Sequence, residues 1–204
     1  MTGGGAEPDA QLARRAAGGD ERAFAELVRR HKEPLYRLLR RYTGDADEAY
    51  EATQEAFIAA WSALRRYDPG RPFLAWLRVI ALNKARDRQR RTRLRRPVFG
   101  AGALHEGGPA SEPADPAAPA DERLIEREAM ARLDAGIAAL PPGLKEALLL
   151  TAFEGLSQLE AAAILGVSAK TVETRVYRAR KLLARTLDPE LRPGGRAALR
   201  RFRA

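Results

Sequence analysis

The sequence predicts an all-α protein: two small helical domains joined by a flexible acidic linker, the second containing a helix-turn-helix. Three observations lead there. Apolar residues recur at helical spacing over most of the chain, and no strand-length alternation stands out. The stretch from Pro97 to Glu122 breaks that pattern with Ala, Pro and Gly and holds no Lys or Arg. Beyond it, one short apolar-patterned helix ends at Gly166 and a longer basic one starts after Ser168, the order of a helix-turn-helix.

Composition bounds the rest. The 204 residues are 45% hydrophobic, enough for one or two small domains with real cores. Lys and Arg number 36 against 27 Asp and Glu, a net charge of +9. That surplus suggests a polyanionic partner, nucleic acid ahead of a membrane surface; a solvated charged surface is the plainer alternative. With no cysteine there is no disulfide, thiolate zinc site or cysteine nucleophile. The start, "MTGGGAEPDA", lacks the basic residues and apolar run of a signal peptide. No apolar stretch approaches the roughly 20 residues that span a bilayer. The expectation is a cytoplasmic protein without membrane insertion.

The elements follow in order. Residues 9–96 form the first expected domain. Asp20 can cap a helix whose apolar side includes Phe24, Leu27 and Val28. Pro34 is expected to begin or kink the next stretch, with Leu35, Leu38 and Leu39. "TGD" at Thr43–Asp45 is a break. A second amphipathic helix sets Phe57, Ala60, Trp61 and Leu64 on one face, and "RYDPGRP" is a loop. The next helix starts near Phe73, packs Trp76, Leu77 and Ile80, and turns strongly basic from Lys84 to Arg96. The linker, 97–122, carries Glu106, Glu112, Asp115, Asp121 and Glu122 and cannot bury enough to offset its ordering entropy. The second domain, 123–187, opens with Leu124, Ile125, Met130, Leu133 and Ile137 on a helix, turns at "LPPG", and continues with the buried helix "LKEALLLTAFEG". A basic tail, 188–204, is assigned no fixed structure.

In the helix-turn-helix, Ala162 is small where the helices approach, and Gly166 suits a left-handed stop. Ile164, Leu165, Val167 and Val172 seal the contact, and Ser168 caps the second helix. Such a helix enters the major groove with its N-terminal residues at base edges. These are Lys170, Thr171, Glu173, Thr174, Tyr177 and Arg178; Arg175, Arg180 and Lys181 suit phosphates. Glu173 can accept from the amino group of cytosine. Alternatively it is a plain helix residue, although Tyr177 offers it no cation at i+4.

"EATQEAFIAAW" (51–61) with "PFLAWLRVIALNKARDRQRR" (72–91) resembles domain two of bacterial sigma factors, and "LPPGLKEALLLTAFEGLSQLEAAAILGVSAKTVETRVYRARKLL" resembles domain four. The order matches the short extracytoplasmic-function (ECF) class, which keeps those two domains. The resemblance implies a transcription initiation factor that joins core RNA polymerase, through its clamp coiled coil and flap, and recognises promoter DNA. It implies docking on polymerase through Glu51, Gln54, Glu55 and Ile58, which share a helix face; without it, a solvated face would be the better reading. Tyr50 stands where the family's pattern has a charge. The resemblance further implies recognition of the −35 element as duplex by the helix-turn-helix. The −10 element would be captured as a melted strand by the stretch 65–91.

Strand capture needs cations along a backbone, planar groups that hold bases and amide edges that read them. Arg65, Arg66, Arg71, Lys84 and Arg88 supply the first, while Tyr67 and Asn83 suit the pocket; Asn83 could instead bond backbone locally. Phe73, Trp76 and Ile80 read as core. The acidic linker would run toward the polymerase cleft as a mimic of nucleic acid, or serve as a tether. An anti-sigma factor is an expected further partner.

Two other readings stand beside this one: a free-standing helix-turn-helix regulator, and a sigma-like decoy for an anti-sigma factor. The decoy should lack the cations of both DNA stretches, which are present here. A DNA-cutting enzyme finds no support. His31 and His105 lie far apart, and no metal-ligand spacing or Gly-rich phosphate loop appears. No cofactor, metal or small-molecule substrate is expected.

Overall fold

A computed structural model describes residues 7–95 and 120–187, and every regular element in them is helical. The acidic stretch up to residue 119 and the basic tail lie outside the described residues. The described residues fall into two compact units. One gathers residues 7–39 and 47–95; the other gathers residues 40–46 and 120–187. The seven residues Arg40–Ala46 thus group with the second unit, whereas sequence reading assigned them to the first.

The first unit begins with α1, Asp9–Ala17, which buries Leu12, Ala13 and Ala16. Helix α2, Glu21–Thr43, starts where Asp20 Oδ1 accepts the amides of Arg22 (3.0 Å) and Ala23 (3.1 Å). This is the expected cap. Asp9 ties α1 to α2: its carboxylate meets Arg30 at 3.0 Å and His31 Nε2 at 2.6 Å.

Helix α2 runs through Pro34 as one element, so Pro34 does not begin a separate helix. Proline forfeits one backbone bond and crowds the carbonyl four residues back. Here Leu27, Leu35, Leu38 and Leu39, all fully buried, lie on both sides of it, and tertiary burial offsets the local penalty. The helix ends at the predicted break, where Gly44 adopts φ 79° and the Thr43 hydroxyl bonds the Asp45 carbonyl at 2.9 Å.

Helix α3, Ala46–Ala63, buries Ala49, Ala52, Thr53, Ala56, Phe57 and Ala60. Trp61 differs from the expectation. It stands 38% exposed at the edge of the packing face, with its ring 4.9 Å from that of Phe24. A turn of 3-10 helix at Leu64–Arg66 leads into the loop before α4, Phe73–Arg95. Phe73 and Leu77 are buried; Trp76 and Ile80, expected in the core, are half-buried.

The second unit holds α5, Ala120–Ala139, and α6, Pro142–Leu148. Pro142 and Gly143, read as turn residues, form the first turn of α6, because proline at a first helical position has no amide to lose. A π-helical turn, Leu149–Phe153, extends α6, and Leu148, Leu149 and Leu150 are fully buried. Helix α7, Gln158–Leu165, and α8, Ala169–Thr186, complete the unit. Lys145 is fully buried and donates to the Ala138 carbonyl at 2.7 Å. No helix among the described residues is long and apolar enough to cross a membrane.

Candidate nucleic-acid and protein interfaces

The α7–α8 joint is built as the sequence dictates. Gly166 takes φ 66°, ψ 35°, the left-handed stop that a Cβ disfavours. The Val167 amide closes back on the Ala162 carbonyl at 3.1 Å. Ser168 Oγ accepts the Thr171 amide at 3.1 Å and caps α8. Ser157 and Glu160 form a reciprocal capping box at the start of α7, a local S-x-x-E pattern outside the sequence-based expectations above.

Helix α8 buries Val172, Ala179 and Leu183 and turns its other side outward. Lys170, Thr174, Tyr177 and Lys181, at i, i+4, i+7 and i+11, make an exposed crest; Tyr177 is 66% exposed. Glu173 and Arg178 flank it and are exposed. Thr171 sits lower, half-buried, its hydroxyl 2.8 Å from that of Ser168. Arg175 is half-buried against α6: a Cβ on Gly143 would come within 3.4 Å of its guanidinium carbon. Glu173 does have a cation, on the side the i+4 argument did not reach. Lys170 Nζ lies 2.9 Å from its carboxylate, one turn toward the N-terminus.

In the first unit Arg65, Arg66 and Arg71 are exposed around the loop, and Asp68 Oδ1 accepts the Gly70 amide at 2.9 Å. Asn83 is exposed on α4, and Lys84 half-buried beside it. Tyr67 is not offered to a base in this conformation. It is 7% exposed, its hydroxyl donates to the Arg71 carbonyl at 2.6 Å, and its ring meets those of Phe73 and Trp76 at 5.5 and 5.2 Å. Burial pushes its hydroxyl pKa upward, and the charges of Asp9 and Asp68 add to the shift. A platform for stacking needs a free ring face, so Tyr67 here braces the loop. Trp76, Ile80 and Asn83, at i, i+4 and i+7, form a half-buried to exposed stripe that sequence reading had divided between core and site.

On α3, Glu51, Gln54, Glu55 and Ile58 share one outward face, with Ile58 68% exposed. Tyr50 joins its edge at 47% exposure under the Lys32 ammonium, 5.6 Å from the ring centroid. Two groups of predicted residues meet here: Arg88 of α4 bonds both Glu51 and Glu55. No cluster of acidic or imidazole groups suited to a metal occurs among the described residues.

Comparison with known proteins bears on the family of the chain. Residues 27–95 match the family described as Sigma-70 region 2, and residues 130–183 match Sigma-70, region 4. The chain is 40% identical to the RNA polymerase sigma factor CnrH of Cupriavidus metallidurans, over 90% of this chain and 96% of that one. A structure of CnrH in complex with the cytosolic domain of CnrY superposes with a TM-score of 0.63 at 38% identity, covering 89% of this chain and 98% of that one. The ECF RNA polymerase sigma-E factor of Escherichia coli K12 is 31% identical over 90% of this chain and 96% of its own length. The sigma factor RpoE of Bartonella quintana, solved with the anti-sigma factor NepR, shares the fold with a TM-score of 0.59 at 24% identity, over 80% of this chain and 96% of that one.

Proposed function

We propose that this chain, which belongs to the sigma-70 family of RNA polymerase sigma factors and to its ECF class, binds core polymerase and directs initiation at a two-part promoter. In this reading α8 reads the −35 element as duplex. Lys170, Thr174, Tyr177 and Arg178 meet base edges from the exposed crest and its flank, Thr171 and Glu173 border them, and Arg175 supports the helix from its seat against α6. The −10 element binds as a melted strand along Arg65, Arg71, Asn83 and Lys84. Trp76 is the stacking surface beside them, and Tyr67 holds the loop. Glu51, Gln54, Glu55 and Ile58 form the polymerase-docking face, a polar patch with one apolar member, as protein interfaces often are.

The observation that carries the reading is the exposed α3 face in the same chain as a fully formed recognition helix. A free-standing DNA regulator has no use for the former. An anti-sigma factor is the natural regulator; that CnrH is solved in complex with the cytosolic domain of CnrY supports a further protein partner.

The test is equilibrium binding of the full chain to core RNA polymerase, with Glu51→Arg, Gln54→Ala as the control variant. Tight binding that the variant loses supports a polymerase subunit. Absent binding, with duplex DNA still bound, overturns the reading in favour of a regulator that acts alone.

A further inference from the structure

Arg88 stands among the α4 cations expected to follow DNA, yet its guanidinium turns toward α3. Nη1 donates to Glu55 Oε1 at 3.0 Å and Nη2 donates to Glu51 Oε2. The partners lie 33 and 37 residues away in sequence and on another helix. Arg88 is half-buried, as Lys84 and Arg86 of the same helix are, with its side chain 28% exposed against 78% for Arg90 two positions on. What marks Arg88 is its commitment: both terminal nitrogens of its guanidinium are already engaged by carboxylates of α3.

Its partners are two of the four residues of the proposed docking face. Glu51 and Glu55 are one helical turn apart, i and i+4, where like charges repel. Both stay accessible, at 55% and 41% side-chain exposure, and a glutamate at such a site samples several rotamers. The planar fork of an arginine meets one oxygen on each acid at once. That removes the repulsion and fixes both carboxylates against α3, each still reachable from outside.

We propose that Arg88 is a positioning residue of the polymerase-docking face. It holds Glu51 and Glu55 in the arrangement that a donor-bearing polymerase surface meets. The inference rests on the proposed function.

The experiment measures equilibrium affinity of the full chain for intact core RNA polymerase in four proteins: wild type, Arg88→Ala, Arg88→Lys, and Arg88→Ala in a Glu51→Gln, Glu55→Gln background. Arg88→Ala should weaken binding about three- to tenfold, within the range of coupling seen for residues in one charge network. Arg88→Lys should recover less than half of that loss, because an ammonium presents its donors from one atom and lacks the planar fork that sets a separate nitrogen on each acid. In the double-glutamine background the alanine change should have no further effect. Thermal unfolding of each variant separates this from loss of fold, and Arg88→Gln replaces the alanine variant if that one unfolds.

Unchanged core affinity in Arg88→Ala, with weaker binding to a single-stranded oligonucleotide, would assign Arg88 to DNA and overturn the proposal. An equal loss in both backgrounds would overturn it too. Failure of the wild type to bind polymerase would instead sink the proposed function, and this inference with it.

Discussion

Replacing Tyr67 by Phe isolates what the hydroxyl does, because the ring stays. The phenyl group keeps its contacts with Phe73 and Trp76 and its 7% exposure, so apolar burial is unchanged. What goes is the 2.6 Å bond to the Arg71 carbonyl. A buried hydrogen bond is worth about 1 kcal/mol net, rising to roughly 3 kcal/mol if its partner is stranded. Arg71 is itself exposed, so water can reach the loop and the lower value applies. For a unit of this size, 1 kcal/mol moves the midpoint by about 4–8 °C. Thermal unfolding of the full chain should show that drop in the transition of the first unit. Amide exchange should quicken at Arg71, whose N–H donates to the Asp68 carbonyl at 3.0 Å. Single-strand affinity should fall only as far as the loop loosens. Unchanged stability and exchange with a large loss of strand binding would refute the bracing role and return the hydroxyl to base recognition.

Three further expectations can be checked with ordinary assays. Ser157→Ala removes the side-chain half of the α7 capping box and should cost about 1 kcal/mol in denaturant unfolding of the second unit. Glu26, hydrogen-bonded by Arg29 and Arg30, has its pKa lowered from 4.5 to about 2. Its stabilising contribution is therefore fully present above about pH 4.5 and is lost as pH falls toward 2. The stability gap between wild type and Glu26→Gln should close over that window, and a gap that persists at pH 2 would contradict the assignment. Arg178→Ala with Lys181→Ala removes two exposed cations of α8, so the slope of log affinity for duplex DNA against log salt should fall by about 0.9 for each that meets a phosphate.

Local rules reached far in the helix-turn-helix. Ser168, Gly166 and the Val172 stripe are short-range devices, and each appears where its chemistry requires. The same holds for the Asp20 cap and the Gly44 break. The capping box at Ser157 is just as local, since its S-x-x-E pattern spans four residues. Local rules reached less far at Pro34, which lies inside α2, and at "LPPG", whose Pro142 and Gly143 belong to α6. A proline's backbone penalty is intrinsic, but whether a helix absorbs it depends on burial of leucines on both sides or on a position at the helix start.

Side-chain role was harder to read than fold. Tyr67 and Asn83 both looked like reading groups, yet the first is buried and the second exposed, and nothing in their spacing distinguishes them. Glu173 lacked a cation at i+4 and found one at i−3. Arg88 was legible as a cation but not as the partner of Glu51 and Glu55.

Legible in the chain were the helical class, the two patterned segments with a stretch free of Lys and Arg between them, the stop of α7 and the cap of α8. These depend on propensity, periodicity and capping within a few residues. Tertiary structure alone decided that Tyr67 turns inward, that Trp61 sits at the edge of its face, and that one arginine joins two acids on another helix. Such outcomes depend on which surfaces of distant helices meet, and contacts across 33 to 37 residues leave no periodic trace in the chain.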